Sequence, residues 1–458
     1  MSPALTFEPK QSRAVCLLAL LLVTWIMVGS SFHGMVQSGV RGGDFQFFYT
    51  AAQRLNAHEP LYKYESTGAT YVYAPLLAIT LRPFVGTHSM ARDAEHKLID
   101  PATEGEFLHA QKVWFGASAG SLLLAVGLFA RAARLHLTQA AAGCILIVTA
   151  FHFWPTVMSL GLGQANLLLV CALAGIYYAD SRDKLLLAAV FIAGGAIIKT
   201  WFLGFVLYLI LRRAWSAIVA CGVIYVACLG VLFTIVGWGE MKLFIDMTHD
   251  YASKNMGNQV LSQSISGFAQ LHFSQNDHIA PLRDSPLLAD LTKWTLTALI
   301  LGGLAFMYFR KLSGKPFERQ LRLGVITLSL LLLLPYCQNE YLVLTLPVLW
   351  TFLLAPSSSG LLSFGLTCIA YILLTRGGPY YPNDAKPFHD GLRSLFVSLP
   401  FFTLMGLWAV TLLALMSRRV TLMPDTSNAP IPSARQVQAE SPSSSPSVRP
   451  SGVPLSHA

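Results

Sequence analysis

Charged residues are scarce in this chain. Asp, Glu, Lys and Arg make up 12% of 458 residues, against 54% hydrophobic ones. A soluble domain carries roughly 25% charged residues. The deficit excludes an ordinary soluble enzyme and, with many long apolar runs, implies a polytopic membrane protein, at about 20 apolar residues per span. Also missing is the ten-residue apolar–polar alternation of a membrane barrel, so the expected spans are helices. No cysteine pair has zinc spacing. The seven cysteines (Cys16, Cys144, Cys171, Cys221, Cys228, Cys337 and Cys368) are odd in number and most lie inside apolar runs. They read as small buried hydrophobes, with no disulfide framework. No internal repeat is visible.

The net charge of +9 belongs, in such a chain, to basic inner loops and to attraction for anionic lipid. Nucleic-acid binding is not implied. The fold class expected is all-α, a membrane bundle of about twelve helices. Lys10 and Arg13 precede the first apolar run, 14–28, which reads as an uncleaved helix with its N-terminus inside. A short apolar segment, 71–86, either crosses the membrane or dips into it, and a polar insert follows at 87–110. Further spans are expected at about 113–130, 139–155, 160–179, 184–211, 214–237, 291–309, 321–336, 341–355, 359–375 and 395–416. The 184–211 segment is long enough to be broken. Arg212, Arg213, Arg310, Lys311, Lys315, Arg319, Arg322, Arg418 and Arg419 mark inner loops and an inner C-terminus, which puts 238–290 outside. Residues 1–423 form the membrane domain. The Ser- and Pro-rich tail, 424–458, has no apolar period and is expected to be disordered.

Five stretches carry candidate chemistry. Gly42-Gly43-Asp44-Phe45-Gln46-Phe47-Phe48-Tyr49 puts a carboxylate among aromatics just after the first helix. Asp44 reads as a helix N-cap or as a catalytic base at the membrane boundary. The Gly-Gly-Asp-Phe string also matches the signature of cyclic-dinucleotide synthases, but that motif needs a further acidic residue and a soluble α/β domain. Gln164 and Asn166, in Gly163-Gln164-Ala165-Asn166, are amides in apolar sequence that bind a ligand or bond between helices. Lys199 follows Gly194-Gly195 inside a span. It either serves a site or snorkels to an interface. Thirteen residues, roughly 20 Å of helix, separate it from Arg212, so it falls in the outer half of the bilayer. Asn258 and Gln259 open a polar outer loop running to Gly267. Glu340 lies in Pro335-Tyr336-Cys337-Gln338-Asn339-Glu340-Tyr341, between two spans.

The order Asp44…Tyr49, Pro60-Leu61-Tyr62, Tyr73-Ala74-Pro75-Leu76, Gly163-Gln164-Ala165-Asn166, Lys199 and Asn258-Gln259 resembles glycosyltransferase family 87, over roughly residues 14–417. The resemblance implies the C-type glycosyltransferase fold in a bacterial inner membrane, with the active site facing outside. It implies inverting transfer of a hexose, mannose first, from a polyprenyl-phosphate donor to a lipid or glycan acceptor. Asp44 takes the place of the family's essential Asp. A single carboxylate suits inversion, and no second acidic residue flanks Asp44 nearby in sequence. Lys199 would hold the donor phosphate. Gln164, Asn166, Asn258, Gln259, Glu340, Tyr49 and Tyr73 would bind sugar or acceptor. The resemblance fixes no cofactor. A divalent metal is compatible with it, but no metal ligand set is indicated. The family usually has Pro three residues after the lysine, where this chain has Phe202. The rival reading is a transporter or flippase of a polar or lipid-linked solute, which also uses broken helices and intramembrane polar residues.

Overall fold

A computed structural model of the chain describes residues 9–37, 43–62, 71–86, 101–135, 139–254, 262–275, 279–310, 316–354, 360–376 and 391–417. The tail 424–458, Asn258 and Gln259 lie outside these residues. Among the described residues there is no strand. The helices are α1 (Pro9–Gln37), α2 (Phe45–Asn56), α3 (Leu76–Leu81), α4 (Pro101–Ala132), α5 (Ala140–His152), α6 (Trp154–Gly161), α7 (Asn166–Ser181), α8 (Leu185–Ile198), α9 (Val206–Leu211), α10 (Trp215–Val236), α11 (Gly239–Lys254), α12 (Ile265–Phe273), α13 (Pro286–Phe309), α14 (Pro316–Leu333), α15 (Leu346–Leu353), α16 (Gly360–Arg376) and α17 (Leu399–Met416). Short 3₁₀ segments cover Arg82–Phe84, Thr200–Phe205, Asn339–Thr345 and Gly391–Ser398.

Five helices are long and apolar enough to cross a membrane unbroken: Ala14–His33, Glu104–Ala132, Trp215–Val236, Pro286–Phe309 and Leu392–Met416. A sixth span arises if α5 and α6, bent by 56° at Phe153, count as one. This is an integral membrane protein. Most of the other expected spans are shorter pieces. The 184–211 segment does break, at Lys199, where α8 stops and the 3₁₀ run Thr200–Phe205 leads into α9. The 71–86 segment does not cross. Its helix, α3, has six residues, about 9 Å, against a hydrocarbon core of about 30 Å. The polar insert is also not a plain loop, because α4 already begins at Pro101.

Two ends of the bundle can be told apart. Helix α4 runs alongside α7, with Trp114 Nε1 donating to the carbonyl of Gly163 at 2.8 Å. Near their C-termini, Phe129 packs on Tyr177 with ring centroids 5.5 Å apart. Beyond Tyr177, Asp180 pairs with Arg212 at the end of α9. Asp183 takes Arg212 at 3.2 Å and Arg319, at the start of α14, at 2.6 Å. Arg322 pairs with Glu318 at 3.0 Å and donates to the carbonyl of Met307, near the end of α13, at 3.1 Å. Arg212, Arg319 and Arg322, read from sequence as lying on one side, therefore do lie together. Arg131, at the end of α4, belongs to the same end. Asn166 and Asp180 are fourteen residues apart on α7, roughly 21 Å. The opposite end, at Asn166, is where the polar candidates gather.

Candidate active site

The site is assembled at helix breaks. Asp44 sits one residue before α2, in helical conformation with φ −75° and ψ −18°, and its side chain makes no capping bond. The capping reading therefore fails. Its carboxylate instead accepts a hydrogen bond from the Gln164 side-chain amide. Backbone contacts press these two turns together. The Phe45 N–H donates to the Leu162 carbonyl at 3.0 Å. Gly163 has φ +68°, and a Cβ on it would lie 2.5 Å from that of Phe45. A Cβ on Gly43 would lie 2.8 Å from the Leu162 side chain. Both glycines are required by this close approach.

Gln164 is the hub. Its carbonyl oxygen receives Lys199 Nζ and the Tyr73 hydroxyl, each at 3.4 Å. Lys199 donates to Asn166 Oδ1 at 2.9 Å. Its ammonium also stands 4.0 Å from the ring centre of Tyr341 and 5.5 Å from that of Tyr73, within range of cation–π attraction. The lysine is 6% exposed, so it does not snorkel to water. Gln164 and Asn166 are buried as well, and Nδ2 of Asn166 has no hydrogen-bond partner among the described residues.

Glu340 comes to the same cluster, buried, from the start of the 3₁₀ segment Asn339–Thr345. Its carboxylate interacts with Gln164, Asp44 and Lys199. The sequence showed no acidic neighbour for Asp44. The fold supplies one from nearly three hundred positions away. Burial holds the Asp44 carboxyl above the usual carboxylate range, partly countered by the positive charge of Lys199. That suits a proton acceptor better than an exposed Asp would.

The remaining candidates separate. Tyr73 is in the cluster, and its loop is fixed by the Tyr62 hydroxyl on its carbonyl at 2.8 Å. Tyr49 is fully buried and packs against Phe45 and Phe107 in an aromatic wall behind Asp44. In the described part of the 258–267 loop the polar groups are engaged in structural bonds. Ser264 caps α12 through the Gly267 N–H at 3.1 Å. Gln263 accepts from the Phe401 N–H at 3.0 Å. Ser262 accepts from the Cys337 N–H at 3.3 Å. These bonds hold the strip leading into Glu340. Tyr341 is the residue sequence reasoning passed over. It lies in the polar stretch singled out between two spans, but an aromatic there gives no sign that it will sit against an ammonium. No group of three or more His, Cys, Asp or Glu able to hold a metal occurs among the described residues.

An integral membrane protein whose carboxylates converge with a buried ammonium and buried amides at one end of a helical bundle has the architecture of a membrane-embedded enzyme. The model of glycosyltransferase family 87 matches residues 71–335, more than half of the chain. The chain belongs to that family and is a membrane glycosyltransferase. The match is narrower than the sequence resemblance. It contains Tyr73, Gln164, Asn166 and Lys199, while Asp44 precedes it and Glu340 follows it. A search of curated proteins finds no match.

Proposed function

We propose that this enzyme transfers a hexose, with inversion, from a polyprenyl-phosphate donor to a lipid or glycan acceptor at the outer face of a bacterial inner membrane. The observation that carries the reading is the hydrogen-bonded chain Asp44–Gln164–Lys199–Asn166. It joins a carboxylate of raised proton affinity to an ammonium through one amide. In the reaction an acceptor hydroxyl attacks the anomeric carbon from the face opposite the phosphate. Asp44 takes the hydroxyl proton as the new glycosidic bond forms. The bond from the anomeric carbon to the phosphate oxygen breaks, and polyprenyl phosphate leaves with the electron pair. Lys199 stabilises the negative charge growing on that oxygen. The spare Nδ2–H of Asn166 and the Tyr73 hydroxyl orient the sugar. The outward orientation follows from the basic end of the bundle, since Arg-rich loops stay inside. Mannose is the sugar the family resemblance favours.

Asp44→Asn tests the base. The amide keeps the shape and hydrogen-bonding capacity but accepts no proton. The variant should insert and melt like wild type and still bind donor. Transfer from a radiolabelled polyprenyl-phosphate mannose should fall by at least about 10²-fold. Near-normal transfer would take Asp44 out of the mechanism. Movement of the labelled donor across vesicles without transfer would instead favour a flippase.

A further inference from the structure

The cluster holds one ammonium between two carboxylates. Asp44 reaches it from the turn before α2, Glu340 from the 3₁₀ segment after α14, and Lys199 from the break between α8 and the next 3₁₀ turn. The Cys337 thiol on the adjoining strip also acts on Glu340, and the phenol rings of Tyr341 and Tyr73 flank Lys199. The cation that both carboxylates face is Lys199. Glu340 is 3% exposed, and its backbone carbonyl accepts from the Ser159 hydroxyl at 3.3 Å, which fixes the strip that carries it. Bringing in a phosphodiester adds another negative charge to this cluster. A buried carboxylate, a half-buried one and a phosphate cannot all stay ionised around one buried ammonium, because like charges at such range disfavour each other strongly where water is largely excluded. Asp44 must be ionised to accept the acceptor's proton, which leaves one group to neutralise.

We propose that Glu340 takes up a proton from bulk water as the donor binds, which frees Lys199 for the phosphate and keeps Asp44 ionised. The inference rests on the polyprenyl-phosphate reading above. No bond other than the new O–H on the Glu340 carboxyl changes in this step. Donor binding is thereby coupled to proton uptake, and donor affinity is sensitive to pH. In Glu340→Gln the proton is no longer needed, because the amide is already neutral.

The probe is a polyprenyl methyl phosphate. This diester keeps one fixed negative charge, so its own titration cannot mimic the effect. Binding to the full-length wild-type protein in detergent, measured by calorimetry in two buffers of different ionisation enthalpy, should consume about one proton per ligand at alkaline pH. Affinity should fall by up to about tenfold per pH unit over that range. Glu340→Gln should bind with a flat pH dependence and about tenfold more tightly at the alkaline end. Asp44→Asn should also lose the slope, because one carboxylate and one phosphate can share the ammonium without a neutralisation. Zero proton uptake by wild type overturns the proposal without any variant. An unchanged slope in Glu340→Gln also overturns it, and would assign the slope to Lys199 losing its own proton. A slope kept in Asp44→Asn would show that Asp44 does not share the ammonium with Glu340, and would overturn the proposal. Failure of wild type to bind the probe at any pH would remove the donor reading itself, and this proposal with it.

Discussion

An ammonium enclosed in an apolar bundle is costly unless local groups replace its water. Lys199 has the Asn166 oxygen at 2.9 Å, the Gln164 oxygen at 3.4 Å and the Tyr341 ring at 4.0 Å. None of the three carries a full charge, while both carboxylates act on it at longer range. Such a cation is partly satisfied and keeps attraction for an incoming anion. Lys199→Met should therefore keep the fold, since a straight apolar chain fits the same space, and should weaken binding of the phosphodiester probe by at least about tenfold. Lys199→Arg should fail to restore it, because the larger guanidinium presents its N–H groups in a rigid fork that does not match the two amide oxygens as a compact ammonium does. Wild-type affinity in the Met variant, measured beside its melting temperature, would return Lys199 to a structural role.

At the scale of elements, the polar residues stand where helices stop. Asn166 is the first residue of α7, Gln164 lies in the turn before it, Lys199 ends α8, Asp44 precedes α2 and Glu340 begins a 3₁₀ run. Broken backbone inside a membrane is tolerated where it lines a site, because polar side chains and ligands can satisfy the freed groups. Away from the site, one buried polar contact clamps α12 to the segment entering α17. His272 Nε2 lies 2.8 Å from Ser398 Oγ, and Nδ1 lies 3.5 Å from Ser394 Oγ. Burial pushes the imidazole down from 6.5 to about 4. A depressed histidine contributes stability above its ordinary value and loses it as pH falls towards the depressed one. The melting temperature of wild type should thus drop between about pH 6.5 and 4. His272→Gln should melt lower at neutral pH but show a shallower acid loss. An acid loss identical in wild type and variant would show that the clamp does not titrate in this range.

Over the whole molecule, the carboxylate–ammonium cluster and the Asp180–Arg212–Asp183–Arg319 ion pairs occupy opposite ends of α7. On the function proposed above, the Arg-rich end lies inside and the site faces outward. Single cysteines replacing the exposed Glu59 and Lys184 report on the two ends. A membrane-impermeant thiol reagent added outside sealed cells should modify Glu59→Cys and spare Lys184→Cys, each compared with the unmutated chain. The reverse pattern would invert the protein and bring the donor from the inner leaflet.

What the sequence determined by itself was local. Low charge and long apolar runs made this a helical membrane protein, and the order of short motifs around Tyr73, Gln164 and Lys199 carried the family. The length of the 184–211 run marked it as long enough to be broken, and the fold put the break at Lys199, after α8. Hydropathy and spacing report what one stretch prefers, so they could not choose between a cap and a base for Asp44, or between a ligand and a strut for Gln164. That choice depends on contacts between residues far apart in the chain. Asp44 and Gln164 are 120 positions apart, and Gln164 and Lys199 are 35 apart. Whether they meet is set by how α2, α7 and α8 end against one another, through the close approach of Gly43 and Gly163 to their neighbours. The arrival of Glu340 beside them is likewise a result of packing. The strip before it is held by Ser262 and Gln263, whose bonds to Cys337 and Phe401 exist only once the helices are assembled.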